Sequence, residues 1–259
     1  MSSLSSIAVP LLAIHSTLVV AVFTPTELVV AADSLQRLVS ATGVEAGETC
    51  KMYRVGDRAF ALAGLVGNAD DEAVMTQLAF TAVGQPGSVR EQADAFLRLA
   101  EPALAAILAV LRSANPQLYR ETIDGGNAGV SAMFIGKTNG PPAVSVRQLQ
   151  VLDFKQSGPI TPTTTVRLDC PGDCTALGFP TVMILGHQYD VVVSAAVSRF
   201  AQDPPTSLID RARRVVDIGI DLFPDHIGGP ADVLRVTSDG MEWITLKPSC
   251  HRGGDAPPQ

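Results

Sequence analysis

The stretch HSTLVVAVFTPTELVVAADS, residues 15 to 34, decides the fold because it predicts two buried strands joined by a turn. Residues 17 to 23 and 27 to 32 are short apolar runs rich in β-branched side chains, a composition typical of strands. The Thr-Pro-Thr-Glu segment that joins them has the chemistry of a tight turn. A hairpin of this kind brings its two outer ends together at one end of an antiparallel sheet.

Three polar residues mark that open end of the predicted hairpin. Thr17 begins the first strand, Asp33 follows the second, and Lys51 opens a third strand over residues 51 to 55. In an antiparallel meander these three positions lie at the same end of the sheet, so we expect their side chains to converge. A hydroxyl, a carboxylate and an ammonium group are components from which an activated nucleophile is built.

Cleavage of the chain before Thr17 would complete such a site. The new α-amino group has a reference pKa of about 8 and can serve as the base. Lys51 beside Asp33 would hold the positive charge that favours an alkoxide, and the N–H of Gly64, at the end of the next strand, could donate to an oxyanion. The same residues also have ordinary structural explanations, namely strand propensity, a turn and a solvated lysine. Spacing alone leaves both interpretations open.

The rest of the chain divides into blocks of strands and blocks of helices. We expect further strands at residues 58–65, 129–136, 143–154, 163–169, 231–237 and 241–246. We expect helices at residues 68–83, 88–112, 181–201 and 206–222. Ser88 and Glu91 form a capping box at the start of the second helix. Segregated blocks indicate an α+β protein with antiparallel sheets and outer helices, not an alternating parallel α/β fold.

The composition narrows the classes of function. The 259 residues, 46% hydrophobic and 17% charged, fit one large domain or two small ones with ample material for a core. The net charge of −7 argues against nucleic acid as the main partner. No uninterrupted apolar run is long enough to cross a membrane, and the run at residues 7 to 14 supports a secretory signal only weakly. Four cysteines are too few for a disulfide scaffold, which favours the cytoplasm over export.

Common nucleotide, hydrolase and metal motifs are absent, and we expect neither a metal nor an organic cofactor. The segment Cys170-Pro-Gly-Asp-Cys174 has wider spacing than a zinc knuckle. His187 and the pair Cys250-His251 are conceivable further ligands for it. A loop turn is the ordinary explanation of this segment.

The segments TLVVAVFTPTELVVAADS, KMYRV and FALAGLVGNAD together resemble the β-type subunits of the 20S proteasome and their bacterial relatives. Those subunits are threonine peptidases of the N-terminal nucleophile class. In them a strand-opening Thr precedes an AADS-like segment that ends in the site Asp, and then come a Lys at the start of a strand and an Ala-Gly turn. Thr17, Asp33, Lys51 and Gly64 occupy those places here.

A weaker resemblance over residues 208 to 246 implies that Asp225 is a supporting acid. The family resemblance implies a four-layer αββα sandwich over residues 17 to 248, a leader of residues 1 to 16 and a disordered tail at 249 to 259. It also implies autocatalytic removal of the leader, assembly into a homo-oligomeric ring, and hydrolysis of peptides or unfolded proteins. Ring size and any ATPase partner are left open, and neither nucleic acid nor membrane is expected to bind.

Departures from the family pattern keep alternatives open. Ser16 stands before Thr17 where Gly is usual, and a register shift of one residue would make Ser16 the nucleophile. Phe179 falls where a supporting Ser is expected, and Leu35 and Arg37 stand where Arg and Thr are common. Two rival interpretations follow. One is a catalytically silent ring subunit that keeps its leader, and the other is a non-peptidase amidase of the same nucleophile class.

Overall fold

The computed structural model of the protein describes residues 12–15, 18–40, 43–68, 74–137, 140–178, 180–186, 189–248 and 250. These residues form thirteen β-strands and six α-helices. The strands are β1 (Leu12–His15), β2 (Leu18–Phe23), β3 (Glu27–Ala32), β4 (Leu35–Ser40), β5 (Gly43–Glu48), β6 (Met52–Val55), β7 (Arg58–Asn68), β8 (Gly129–Lys137), β9 (Pro142–Gln150), β10 (Thr163–Cys170), β11 (Thr181–Gly186), β12 (Asp232–Thr237) and β13 (Met241–Thr245). The helices are α1 (Val74–Val83), α2 (Val89–Ala114), α3 (Pro116–Asp124), α4 (Gly172–Leu177), α5 (Tyr189–Gln202) and α6 (Leu208–Leu222).

The strands form two sheets, and the pairs within both are antiparallel. The larger sheet has the order β10-β9-β8-β7-β1-β4-β5, with β6 paired to β7, and the smaller has the order β11-β2-β3-β12-β13. The predicted hairpin is confirmed as β2 and β3, which pair from Val19 with Ala32 to Phe23 with Leu28. The Thr24 amide donates to the Glu27 carbonyl oxygen at 2.8 Å and closes the turn. The α+β prediction of antiparallel sheets with separate helices is therefore confirmed.

Three hydrophobic cores lie between the packed sheets and helices. One lies between the larger sheet and helices α1, α2 and α3. A second joins the facing surfaces of the two sheets, with residues such as Phe23, Ala61 and Met133. The third packs the smaller sheet against α5 and α6. Because β2 and β3 contribute to the second and third cores on their opposite faces, β2 is buried throughout and β3 is buried from Leu28 to Ala32, as their apolar sequences require.

The helix predicted at residues 181 to 201 is wrong over its first part. Residues Thr181–Gly186 form β11, and the helix α5 begins only at Tyr189. β11 pairs with β2 along its whole length, and its burial alternates, with Met183 buried and Val182 partly exposed. An apolar run of this length is ambiguous between helix and strand, and pairing with the edge of the β2 hairpin resolves it as a strand.

Other boundaries differ from expectation more modestly. The helix predicted at 68 to 83 is described as Val74–Val83; β7 extends to Asn68, and residues 69 to 73 lie outside the described part of the chain. The capping box predicted at Ser88 and Glu91 is confirmed, and α2 contains Pro102. None of the helices in the described ranges combines the length and apolarity needed to cross a bilayer.

Five further elements were not predicted from the sequence, namely β1, β4, β5, α3 and α4. β4 and β5 form a hairpin whose strand signal is weakened by glycine and polar residues. Helix α3 begins with a proline in its first turn, and the side chain of Asn115 caps it by accepting from the Leu118 amide at 3.0 Å. Helix α4 is a short helix within the segment that starts at Cys170.

Candidate active site

A buried ion pair lies at the open end of the β2–β3 hairpin. Lys51 Nζ donates to Asp33 Oδ1 at 2.8 Å, and both side chains are fully buried. Asp33 directly follows β3 and Lys51 directly precedes β6, so the meander brings them together as the sequence predicted. Charged side chains are almost never fully buried unless they are paired, and the pairing explains how both are tolerated here.

Every donor that surrounds the Asp33 carboxylate is supplied by a different segment. Oδ1 accepts from the Leu18 amide at 2.8 Å as well as from Lys51. Oδ2 accepts from the amides of Leu35 and Gly228, each at 3.1 Å. Charge-assisted bonds of this kind are short and fix the orientation of the carboxylate. Because Leu18 is the residue after Thr17, the carboxylate anchors the start of β2 beside Lys51.

The protonation of Lys51 is shifted toward physiological pH. Burial lowers the pKa of Lys51 from 10.5 to about 8, Asp33 opposes this change, and the charge of Lys247 adds to it. Between about pH 8 and 10.5 the folded protein therefore binds fewer protons than the unfolded chain does. This lysine consequently makes the free energy of unfolding rise with pH across that window.

Gly64 lies at the same end of the larger sheet. It pairs with His15 of β1 on one side and with Val130 of β8 on the other. Its φ is +93°, and a Cβ at this position would collide with the carbonyl oxygen of Gly129. A glycine is therefore required here, and the β7 backbone at Gly64 lies directly beside the segment that leads into Ser16 and Thr17.

The two candidate nucleophiles, Ser16 and Thr17, fall outside the described residues. Their position along the chain is nevertheless bracketed by His15, which ends β1, and Leu18, which begins β2. β1 runs antiparallel to both β4 and β7, with Ile14 opposite Arg37 and His15 opposite Gly64. An extended segment of the chain thus occupies the space between β4 and β7 and ends at the candidate junction.

Asp225, the expected supporting acid, is exposed in the turn that follows α6. Contacts from this turn to the site come from its later residues. The Gly228 carbonyl oxygen accepts from the Ser34 amide at 2.9 Å, and Gly228 N–H donates to Asp33. His226 Nδ1 lies 2.7 Å from Arg37 Nη1 on β4. The sequence did not predict that Gly228 donates directly to the Asp33 carboxylate.

A second buried pair next to the site was also missed. Lys247 Nζ lies 3.1 Å from Asp232 Oδ2 and donates to the Thr49 carbonyl oxygen at 3.0 Å. A disulfide joins Cys50, the neighbour of Lys51, to Cys250. Residue Cys250 is buried, although the predicted tail begins at 249, and residues 251 to 259 lie outside the described ranges. No local pattern marks residues so distant in sequence as partners.

The remaining cysteines form a second disulfide, Cys170–Cys174. All four cysteines are therefore paired, a feature that the sequence analysis did not predict. With both thiols of the 170–174 segment bonded to each other, the segment is a cross-linked turn leading into α4. Within the described ranges no cluster of three or more His, Cys, Asp or Glu side chains is arranged to hold a metal ion, and His187 and His251 lie outside those ranges.

Neither a scan against protein-family models nor a search of curated proteins found a match. Among solved structures the chain is similar to the crystal structure of eukaryotic HslV from Trypanosoma brucei, at 14% sequence identity and a TM-score of 0.43. That alignment covers 85% of this chain and 99% of the other. The function is therefore inferred from the contacts within this chain.

Proposed function

We propose that the protein is a proteasome-like amide hydrolase whose nucleophile is Thr17, exposed by cleavage of the bond between residues 16 and 17. One observation carries the proposal: Asp33 Oδ1 accepts hydrogen bonds from both Lys51 Nζ and the Leu18 amide. Consecutive Cα atoms are about 3.8 Å apart. Thr17 is thus tethered one residue from a buried pair of charges, at the end of the hairpin where the sequence resemblance places it.

Each group in the proposed mechanism comes from the chain itself. Thr17 Oγ attacks an amide carbonyl, and the α-amino group freed by cleavage takes the hydroxyl proton, directly or through water. The charge of Lys51 favours the alkoxide, and Asp33 holds Lys51 in place. The Gly64 N–H is the proposed donor to the tetrahedral oxyanion, and Asp225 the proposed support for the amine. Ser16 is the alternative nucleophile if the junction lies one residue earlier.

The substrate proposed is an extended peptide or an unfolded protein segment. β1 supports this, because it lies antiparallel between β4 and β7 and leads directly to the junction. Backbone groups of two strands that accept an extended segment of the same chain can accept a peptide in the same way once that segment has left. Strand addition of this kind recognises the main chain and leaves side-chain preference to the surrounding residues.

The wider architecture of the proposal is a four-layer αββα sandwich over residues 17 to 248, assembled as a homo-oligomeric ring. The three cores support the sandwich, since they are the three interfaces that four layers require.

The cytoplasm was expected from the low cysteine count. Two disulfides instead favour an oxidising compartment, where such bonds persist.

A second candidate function is a silent ring subunit that keeps residues 1 to 16. The observation in its favour is again β1, which pairs on both edges and is the strand that joins β4 to β7 in the larger sheet. Removal of β1 would break the continuity of that sheet. A subunit that retains β1 would be built for assembly and would never form the α-amino base.

Hydrolysis of peptide amides tests the proposal. A set of fluorogenic peptides with differing side chains is incubated with the wild-type protein and with the Thr17→Ala and Ser16→Ala variants. We expect Thr17→Ala to lose activity by roughly a thousandfold or more, because the nucleophile is gone, and Ser16→Ala to retain it once cleaved. Loss confined to Ser16→Ala would move the nucleophile by one residue. Equal rates in all three proteins, or hydrolysis by none, would overturn the proposal.

A further inference from the structure

A second lysine–aspartate pair lies next to the candidate catalytic pair of Asp33 and Lys51. Lys247 and Asp232 are both buried, with Nζ 3.1 Å from Oδ2, and the Lys247 amide donates to Asp232 Oδ1 at 2.8 Å. Asp232 is the first residue of β12, whose partner at that position is Ala32, the neighbour of Asp33. The second pair therefore begins on β12, the strand that lies next to β3, which Asp33 follows.

Lys247 also reaches the segment that carries Lys51. Its Nζ donates to the carbonyl oxygen of Thr49 at 3.0 Å, two residues before Lys51. The Thr49 amide in turn donates to the Ser34 carbonyl oxygen at 2.9 Å. Residue 49 is thus held on one side by the C-terminal segment and on the other by the residue after Asp33.

The disulfide between Cys50 and Cys250 fixes the same two segments covalently. The Cys250 amide donates to the Lys247 carbonyl oxygen at 3.0 Å, so the cross-link and the lysine belong to one turn. Residues 49 and 50 therefore have a hydrogen bond and a covalent bond to the turn that contains Lys247 and Cys250. These two links fix the position of the segment that precedes Lys51 relative to the turn that carries Lys247.

We propose that Lys247, held by Asp232, is a positioning residue for Lys51, which it sets in place through Thr49. The inference rests on the proposed function in assigning Lys51 a role in the reaction. Nothing in the resemblance to known peptidases implied a second lysine at this place. Its consequence is that the charge of Lys247 contributes, after burial and Asp33, to the pH range in which Lys51 keeps its charge.

The charges around Lys51 support this role. Asp33 raises the pKa of Lys51, whereas Lys247 lowers it along with burial, which gives a value of about 8. Asp232 is the counter-ion of Lys247. Tyr53, which donates to the Cys50 carbonyl oxygen at 2.7 Å, has its pKa raised by burial to about 12 and stays neutral in this range. Asp33 and Lys247 are therefore the charges that balance against each other at Lys51.

The experiment is a titration of the lysine side chains followed by NMR. The chain has four lysines, so protein labelled with ¹³C at lysine Cε gives four signals, and Lys51→Met identifies the one of interest. In the wild type we expect the Lys51 signal to titrate with a midpoint of about 8. In Lys247→Met we expect the midpoint to move upward, toward the ordinary value of 10.5, while Lys247→Arg keeps the charge and the low midpoint.

Two further proteins guard the interpretation. The double variant Asp232→Asn/Lys247→Met avoids leaving a buried carboxylate without its partner, and the upward shift is expected there too. Arg199→Met, on an exposed pair with Asp221, should leave the Lys51 midpoint unchanged. An unchanged midpoint in both folded Lys247→Met proteins would overturn the inference. Because the titration needs no substrate, absence of amide hydrolysis would count against the proposed function and not against this result.

Discussion

Replacing Asp33 with asparagine is expected to abolish amide hydrolysis and to lower the free energy of unfolding by about 3 to 5 kcal/mol. The variant leaves Lys51 fully buried without its counter-ion. In the wild type, Asp33 Oδ2 accepts from the N–H groups of Leu35 and Gly228. If the side-chain NH2 group of the asparagine took the place of Oδ2, a donor would face these two donors. Denaturant unfolding and peptide hydrolysis, measured on the same preparation, check both parts.

The matched control is an aspartate-to-asparagine change in an exposed ion pair. Arg199 and Asp221 also approach to 2.8 Å, but their side chains are 49% and 60% exposed. Asp221→Asn should therefore lower the free energy of unfolding by less than about 1 kcal/mol and leave hydrolysis unchanged. If Asp33→Asn were as stable as this control, the buried pair would not have the energetic role assigned to it. The double variant Asp33→Asn/Lys51→Met should recover part of the lost stability, since no unpaired charge remains.

Removing the Cys50–Cys250 disulfide is expected to have the other large effect. The two cysteines are 200 residues apart, so the cross-link restricts nearly the whole unfolded chain. Chain entropy predicts that its loss lowers the free energy of unfolding by roughly 5 kcal/mol. The second disulfide, Cys170–Cys174, spans a separation of only 4 residues and should contribute about 2 kcal/mol by the same reasoning.

The two paired variants Cys50→Ala/Cys250→Ala and Cys170→Ala/Cys174→Ala provide the comparison. Unfolding in guanidinium chloride gives their midpoints and slopes beside those of the wild type. We expect the first variant to unfold at a clearly lower denaturant concentration than the second. The reason is that the Cys50–Cys250 cross-link closes a loop with a separation of 200 residues, whereas Cys170–Cys174 spans a separation of 4. The reverse order, or equal midpoints, would show that the link from residue 50 to residue 250 does not constrain the chain as described.

Local patterns were sufficient to predict the hairpin and the proximity of Asp33 and Lys51. β2 and β3 are short, apolar and joined by a turn, and strand order alone brings Asp33 and Lys51 to one end of the sheet. The capping box of α2 is a pattern of four residues and was equally legible. These features depend on neighbours along the chain, which is why sequence inspection reaches them.

Features that depend on distant partners could not be predicted. Four cysteines allow three pairings, and only the fold brings residue 50 beside residue 250. Lys247 lies in a sequence with no motif, and its partner Asp232 is recognisable only once β12 is seen beside β3. β11 was assigned to a helix because six apolar and small residues carry no decisive period until they pair with β2.

The central claim is that the chain is cleaved between residues 16 and 17 by the nucleophile at its own new terminus. Intact mass and N-terminal sequencing of the purified full chain, beside a Thr17→Ala variant, test it most directly. We expect the wild type to begin at Thr17 and the variant to keep residues 1 to 16. A wild type that also keeps those residues, with β1 still in the sheet, would contradict it and identify the protein as the silent subunit.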